Sequence, residues 1–162
     1  MKKLPDPTVD TPTLTQLRLY ILKIHSDSQP RWGKMNSSEM CKHCNNFISL
    51  YLGELKVPIP VRLIARLFGS LFIKNLLSKS PTETPKNIIT LPVIRVKKQG
   101  LDFNTERSAL LDSLIKLETI TGIINHPLYG PMEAEDILSL IRHHTAHHLN
   151  QFNLLPNSSE KN

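Results

Sequence analysis

The chain has 162 residues, of which 40% are hydrophobic and 21% are charged, and its formal net charge is +6. This length suits one domain with its own core, and this composition is that of a soluble globular protein. Because the basic residues are scattered with few aromatic residues among them, the charge argues against nucleic acid as a partner, although it would favour an anionic substrate or surface. The two cysteines exclude a disulfide framework.

The two ends of the chain are predicted to be loose. Residues 1–12 contain three prolines and no periodicity, which indicates a flexible N-terminal arm. No apolar run follows the first lysines, so no signal peptide is expected, and the cytoplasm is the expected compartment. The folded domain is predicted to span residues 13–154, followed by a flexible tail at 155–162.

From Thr13 to about His25, apolar residues at helical spacing predict a first helix, with Thr13 or Thr15 as its N-cap. The loop at 26–34 carries the single tryptophan, Trp32. Packing as a lid on the core is the favoured interpretation of this side chain, ahead of lining a pocket.

Asn36 with Glu39 three residues later has the capping-box pattern, so a second helix is predicted from there to about Leu52. His43 lies at the edge of the inward stripe of this helix. The stripe is predicted to hold Met40, Cys44, Phe47 and Tyr51.

Cys41 and Cys44 form a C-x-x-C pair within this helix. A zinc ribbon needs a second such pair, and a thioredoxin-type motif follows a strand, and the sequence shows neither. Cys44 is therefore interpreted as a core residue and Cys41 as incidental, with a redox role as the less favoured alternative.

Residues 61–77, which follow two prolines, are predicted to form a third, amphipathic helix. Arg62, Arg66 and Lys74 share one stripe. The other side is predicted to be buried and holds Leu63, Leu67, Phe68, Leu71, Phe72 and Leu76. The segment is too short and too charged to span a bilayer. Covering a core or forming a subunit interface is favoured over lying on a membrane surface.

Residues 78–103 are interpreted as a long ordered connection packed against something, with a short extended piece between 88 and 96. Asn104 is the predicted N-cap of the next helix, which would end by Gly122. His126 lies in the turn-rich loop that follows. A role as a further metal ligand or proton donor is considered for it, but local hydrogen bonding to the loop backbone is favoured.

The last predicted helix, from Asp136 to Phe152, holds four of the seven histidines. His144 and His148 are four residues apart on the same stripe as Ile137, Ile141 and Phe152, so they are predicted to face inward. His143 and His147 share a stripe with polar residues and are predicted to face water.

Two inward imidazoles one turn apart can chelate a divalent metal ion, and His43 is the natural third ligand. Such a site keeps an open position where a thiol or water would lose its proton. No carboxylate lies within the motif, which disfavours peptide hydrolysis and mildly favours thiol chemistry. Gln151 is expected either to hydrogen-bond a ligand or to face water. The alternative is a helix that is merely rich in histidine.

The four main helices and the histidines on two of them resemble the DinB/YfiT-like superfamily, over roughly residues 13–154. Within it, the chain is similar to a branch of uncharacterised domains that share three short motifs. These are Arg31-Trp32-Gly33-Lys34-Met35, ahead of a helix with a central His43, then His126-Pro127-Leu128-Tyr129-Gly130-Pro131, and finally His147-His148-Leu149-Asn150-Gln151-Phe152.

The resemblance implies an all-α fold, an up-down four-helix bundle that is often dimeric, here with an extra amphipathic helix and a long connection. It also implies a metal site for zinc, nickel or a similar ion at His43, His144 and His148. Better-studied relatives include transferases and isomerases that use a low-molecular-weight thiol, bacillithiol or mycothiol. They often end in a basic His-Arg-Gly-Gln run, where this chain has His148-Leu149-Asn150-Gln151, so their substrates are not carried over.

The expected function is thus a metal-dependent enzyme acting on a small molecule, through an activated thiol or water. The alternative is a non-enzymatic metal-binding or stress-response module with a structural metal. A fourth protein ligand would favour the alternative, whereas a fourth position that opens into a cavity would favour the enzyme.

Overall fold

The computed structural model describes residues 11–88, 90–97 and 100–156, with only the backbone of Phe68, Ser70 and Phe72. The regular elements in this part of the chain are α1 (Leu14–Ile21), α2 (Ser37–Tyr51), α3 (Ile59–Leu77), α4 (Phe103–Lys116), β1 (Ile123–His126), β2 (Gly130–Glu133) and α5 (Ala134–Gln151). Single turns of 3-10 helix lie at Pro92–Ile94 and Leu117–Thr119. The described chain is therefore mostly helical, with a small two-stranded sheet.

Reciprocal capping boxes fix the starts of the first two helices. The Asn36 side chain accepts the backbone N–H of Glu39, and the Glu39 carboxylate accepts the backbone N–H of Asn36. Thr13 and Gln16 form the same pair at α1. Each box satisfies two backbone donors that have no partner within the helix. The predicted start of α2 and the predicted Thr13 cap are both confirmed.

The predicted end of the first helix and the predicted N-cap of α4 are both wrong. The first helix ends at Ile21, one turn before His25. The N-cap of α4 is Asp102 rather than Asn104, because the Asp102 carboxylate accepts the backbone N–H of Thr105 at 2.8 Å. An acceptor side chain two residues earlier thus starts the helix earlier.

The core lies where four helices meet. The second helix packs against α4 and α5, and α1 packs against the same two helices. Side chains from all four elements are fully buried in one cluster. It includes Leu17, Ile21, Met40, Cys44, Ile48, Leu110, Leu114, Ile137, Leu140, Ile141 and Leu149.

The all-α prediction missed the β-hairpin. Strands β1 and β2 pair antiparallel, with Ile123 opposite Glu133 and His126 opposite Gly130. The turn residues recognised in the sequence form the tip of this hairpin, and its strands are four residues long. Strands this short leave almost no alternating pattern by which a sequence could reveal them. The hairpin matters because it fixes His126 and Tyr129 beside α2.

The predicted buried face of α3 is wrong at Leu63, Leu67 and Leu71, which are 57, 75 and 72% exposed. Leu76, from the same prediction, is partly buried and packs against the core. Ile73 and Leu77, on a different stripe, are buried instead. Both sides of this helix carry aliphatic residues, so the hydrophobic pattern alone does not determine which side is buried. The side chains of Phe68 and Phe72, also predicted to be buried, lie outside the described part.

A close approach at Gly69 explains which face of α3 turns inward. A Cβ atom at this position would overlap the ring of Tyr129 at the tip of the hairpin. Only the absence of a side chain at Gly69 lets the helix lie against that ring. The stripe that contains Gly69 also contains Ile73 and Leu77, and those residues therefore enter the core.

The described part of the connection between α3 and α4 packs against α5, where the sequence predicts a connection packed against an unspecified part of the protein. This part, at 78–88 and 90–97, places Thr84 and Pro81 against two histidines of that helix. The predicted extended piece is instead a turn of 3-10 helix at Pro92–Ile94. Ile89, part of that prediction, lies outside the described residues.

Most of the predicted arm and tail lies outside the described residues. Thr11 and Pro12 are buried, and their carbonyl oxygens accept hydrogen bonds from Arg142 at 2.9 and 2.7 Å. At the other end, Leu154 and Leu155 pack against the core. Among the described residues, no helix combines the length and the apolar character that a membrane crossing needs.

Candidate metal centre

Three histidines from two helices converge inside the helical core. His43 lies on α2, and His144 and His148 lie one turn apart on α5. Each offers one ring nitrogen, and these nitrogens all lie within 4.8 Å of one another. Two nitrogens bound to one tetrahedral zinc ion would be about 3.4 Å apart. Small side-chain rotations would therefore bring the three rings to ligating distance.

The tautomer of His148 is fixed by Gln151. The Gln151 amide nitrogen donates to the carbonyl oxygen of Trp32 at 2.7 Å. Its amide oxygen must therefore face His148, whose Nδ1 lies 2.9 Å away and donates to it. This leaves Nε2 of His148 unprotonated and able to bind a metal ion.

Gly33 makes room for this chain of hydrogen bonds. Its φ of +82° lies in the left-handed region, and a Cβ atom there would stand 2.7 Å from the amide nitrogen of Gln151. Any other residue would be strained and would press on that amide. The Arg-Trp-Gly motif thus acts on the site through its backbone.

His43 is oriented in the same way by a backbone carbonyl. Its Nδ1 lies 3.2 Å from the carbonyl oxygen of Ile94, in the 3-10 turn, and donates to it because a carbonyl can only accept. The Nε2 atom of His43 is then the unprotonated one. A ligand histidine whose other nitrogen donates to a carbonyl is the usual arrangement around protein-bound metals.

The ring of His144 is held by stacking. It lies parallel to Phe47, with 3.7 Å between ring centroids and 2° between ring planes. Its buried Nδ1 has no hydrogen-bond partner among the described residues. An unpartnered buried polar atom costs free energy, and a cation bound at this nitrogen would offset that cost.

Burial keeps these imidazoles neutral. Loss of solvation lowers the pKa of His148 from 6.5 to about 3, and it also lowers the pKa of His43. The pKa of His144 falls well below 6.5, through burial first and then repulsion from the neighbouring histidines. Neutral imidazole is the form that binds metals. Three such donors suit zinc, nickel, copper or iron, so the residues present fit a divalent metal ion.

The prediction that His143 and His147 face water is wrong. The connection after α3 covers them: Nε2 of His143 lies 2.8 Å from the Thr84 hydroxyl, and Nδ1 of His147 lies 3.2 Å from the Pro81 carbonyl. His143 is only 1% exposed. Both histidines are thus engaged with this connection.

A cavity of about 300 Å³ adjoins the three histidines. This is the lower end of the range for small-molecule sites. Its walls are mostly apolar and include Phe47, Leu50, Ile73, Leu76, Leu91, Ile94, Leu128 and Leu140. Trp32 also lines this cavity, so the less favoured interpretation of this side chain, lining a pocket, is the correct one.

The C-x-x-C pair is part of the core. Both thiols are fully buried, and the Cys44 thiol points at the sulfur of Met40 at 3.7 Å. Burial raises the pKa of Cys41 to about 12 and the pKa of Cys44 well above 9. Redox chemistry needs an accessible thiolate, and neither residue supplies one in this state.

His126 stabilises the hairpin turn in which it lies and is not a member of the three-histidine group. Its Nδ1 accepts the backbone N–H groups of Leu128 and Tyr129, at 3.1 and 3.3 Å. This confirms the favoured interpretation of local hydrogen bonding. Its Nε2 is buried and has no partner in the described part of the chain.

The structure thus defines a mostly helical protein with a buried three-histidine group beside an apolar cavity. The sequence model of a family described as "Protein of unknown function (DUF1569)" matches residues 12–154. The chain belongs to this family. Searches of curated proteins and of solved structures gave no match.

Proposed function

We propose that this protein is a metal-dependent enzyme of DinB type, in which His43, His144 and His148 hold a divalent ion, zinc or nickel. The reaction would use an activated thiol or water, as in thiol-dependent transferases. One observation carries the proposal: three ring nitrogens within 4.8 Å of one another adjoin a cavity of about 300 Å³.

The placement of four helices around one core supports a bundle of DinB type. Within it, α1 and α2 each pack chiefly against α4 and α5, whereas a simple up-down order would place α1 against α2 and α4 against α5. The motifs that carry the resemblance also meet around one site: Trp32 and Gln151 are hydrogen-bonded to each other, and Gln151 to His148. Residues 31–35 and 147–152 therefore act together.

The chain's own groups would prepare the site for this chemistry. The Ile94 carbonyl and the Gln151 amide orient two of the ligands, and the ring of Phe47 holds the third. Apolar walls exclude water, which strengthens electrostatic interactions at the histidines. When bound, the ion would supply a Lewis acid that favours the deprotonated form of a thiol or water.

The alternative is a structural metal in a non-enzymatic binding or stress-response module. Such sites take four protein ligands. Among the described residues the group has three members. The neighbouring histidines of the same helix, His143 and His147, each have one ring nitrogen engaged, with Thr84 and Pro81 respectively. These contacts favour the enzyme.

Cobalt substitution tests the open position. We expect 2-mercaptoethanol to change the visible spectrum of the Co(II)-loaded protein, since a fourth position is free for a thiol. A zinc-loaded sample screened for thiol transfer and hydrolysis would then identify the reaction class. A spectrum that no added thiol changes, together with four protein donors by X-ray absorption, would favour the structural metal instead.

We further propose a homodimer, which the resemblance implies, and we place its interface at the outer face of α3. Ile59, Leu63, Leu67 and Leu71 recur every four residues and are all more than half exposed. Two copies of such a ridge can pack against each other about a two-fold axis. Light scattering should give a dimer for the wild type and for Ile115→Lys, an exposed control on α4, but a monomer for Leu67→Lys. A monomeric wild type would refute this.

A further inference from the structure

The described side chains that line the cavity beside the histidines carry positive charge but no negative charge. Among the described residues that line it, none is acidic, and the single charged side chain is Lys34. Its walls are otherwise apolar, apart from the histidines and a few neutral polar groups. A ligand that enters would therefore have to be apolar over most of its surface.

Two cations lie over the ring of Trp32, which lines this cavity, and a third, Lys34, lines the cavity itself. The Lys86 ammonium lies 4.8 Å from the centre of the Trp32 rings, and the Arg31 guanidinium lies 6.0 Å away. All three cationic residues are exposed. In the described part of the chain, none of them forms an ion pair with a carboxylate. We call Arg31, Lys34 and Lys86 the basic rim.

We propose that the site takes an amphipathic organic anion, whose apolar body fills the cavity and whose anionic group lies at the basic rim. The inference rests on the proposed function, since it takes this cavity to be the substrate site. The apolar body of such a molecule would extend into the cavity that adjoins the three histidines.

The volume limits the size of the apolar body. A cavity of about 150 Å³ holds benzene. The cavity here, of about 300 Å³, is roughly twice that size. It would take a body on the order of one aromatic ring with a short alkyl chain. An unpaired positive rim would attract the anionic form over a neutral or cationic analogue of the same shape.

Trp32 gives the experiment its readout, because it is the only tryptophan in the chain and lines the cavity. Its fluorescence would be titrated with 4-phenylbutyrate, 4-phenylbutanamide and 4-phenylbutylamine in low-salt buffer. We expect the anion to bind about fivefold more tightly than the amide, from surface charge pairs of up to about 1 kcal/mol each. The amine should bind most weakly.

Rim variants show where the anionic group lies. Lys34→Gln with Lys86→Gln should bring the butyrate and the amide to within about twofold of each other. Lys116→Gln, an exposed control on α4, should keep the preference. Equal affinity of all three compounds, or no binding of any, would overturn the proposal. So would a preference that persists when Arg31→Gln is added to the double variant, because the carboxylate would then lie elsewhere than at the basic rim.

The titration also separates this inference from the proposed function. Metal content is measured on the same samples. A protein that holds one metal ion but does not discriminate between the three compounds refutes the ligand class alone. A protein that prefers the anion but never holds a metal ion refutes the proposed enzyme and leaves the anion site in place.

Discussion

Gln151 should control metal affinity through His148. The change Gln151→Met keeps the length of the side chain but removes both hydrogen bonds, one to His148 Nδ1 and one to the Trp32 carbonyl. In the metal-free variant, the proton of His148 can move to Nε2, so the change costs little free energy. Metal binding requires Nε2 to be unprotonated, so the buried Nδ1–H is then left without an acceptor.

The expected loss follows from that unpartnered donor. Leaving a buried donor unsatisfied costs about 1–3 kcal/mol, and loss of such a partner of a ligand histidine lowers metal affinity about 10- to 100-fold. The affinity for zinc would be measured by competition with a chromophoric chelator. Asn150→Ala, on the same turn of α5, is the matched control and should bind like the wild type.

Gln151→Glu separates positioning of the histidine from general stability. This variant still offers His148 an acceptor but cannot donate to Trp32. We expect it to keep most of the zinc affinity and to lose thermal stability. If the Glu variant loses as much zinc affinity as the Met variant, or if both bind zinc like the wild type, the orienting role of Gln151 is wrong.

Two further predictions concern residues around the site. Gly33→Ala should lower both the melting temperature and the zinc affinity, because its Cβ would press on the Gln151 amide at a φ of +82°; an unchanged chelator titration would contradict this. His126 should make the protein acid-sensitive: burial lowers its pKa from 6.5 to about 3, so the unfolded chain takes up the proton first as the pH falls. The contribution of neutral His126 to the free energy of unfolding is complete above about pH 6.5. About 1.4 kcal/mol has been lost at pH 5.5, and the loss continues toward pH 3. His126→Asn keeps an acceptor for the turn and cannot titrate, so its unfolding free energy in urea should fall less between pH 7 and 5.5; equal losses would refute the assignment.

Local patterns predicted the part of the site that depends on neighbouring residues. Asn36 and Glu39 form their capping box because three residues of sequence are enough to specify it. The helical repeat places His144 and His148 on one face in the same way. His43 is predicted as the third ligand because it lies at the edge of the inward stripe of α2. The structure brings the three histidines together.

Contacts between distant parts of the chain could not be predicted. His143 was expected to face water, because nothing in α5 itself shows that Thr84, 59 residues earlier, covers it. The Ile94 and Trp32 carbonyls orient the ligands, but a backbone carbonyl leaves no trace in the residue types. The face of α3 was chosen wrongly because its packing is decided at Gly69 by the shape of the hairpin.

Metal analysis of protein made without an affinity tag tests the central claim most directly. Wild type, His144→Ala and His143→Gln would be purified in parallel, and the glutamine keeps a hydrogen-bonding group for Thr84. The three-histidine centre predicts one divalent ion per chain in the wild type and in His143→Gln, and none in His144→Ala. Metal-free wild-type protein after growth with added zinc and nickel, or equal metal content in the two variants, would contradict it.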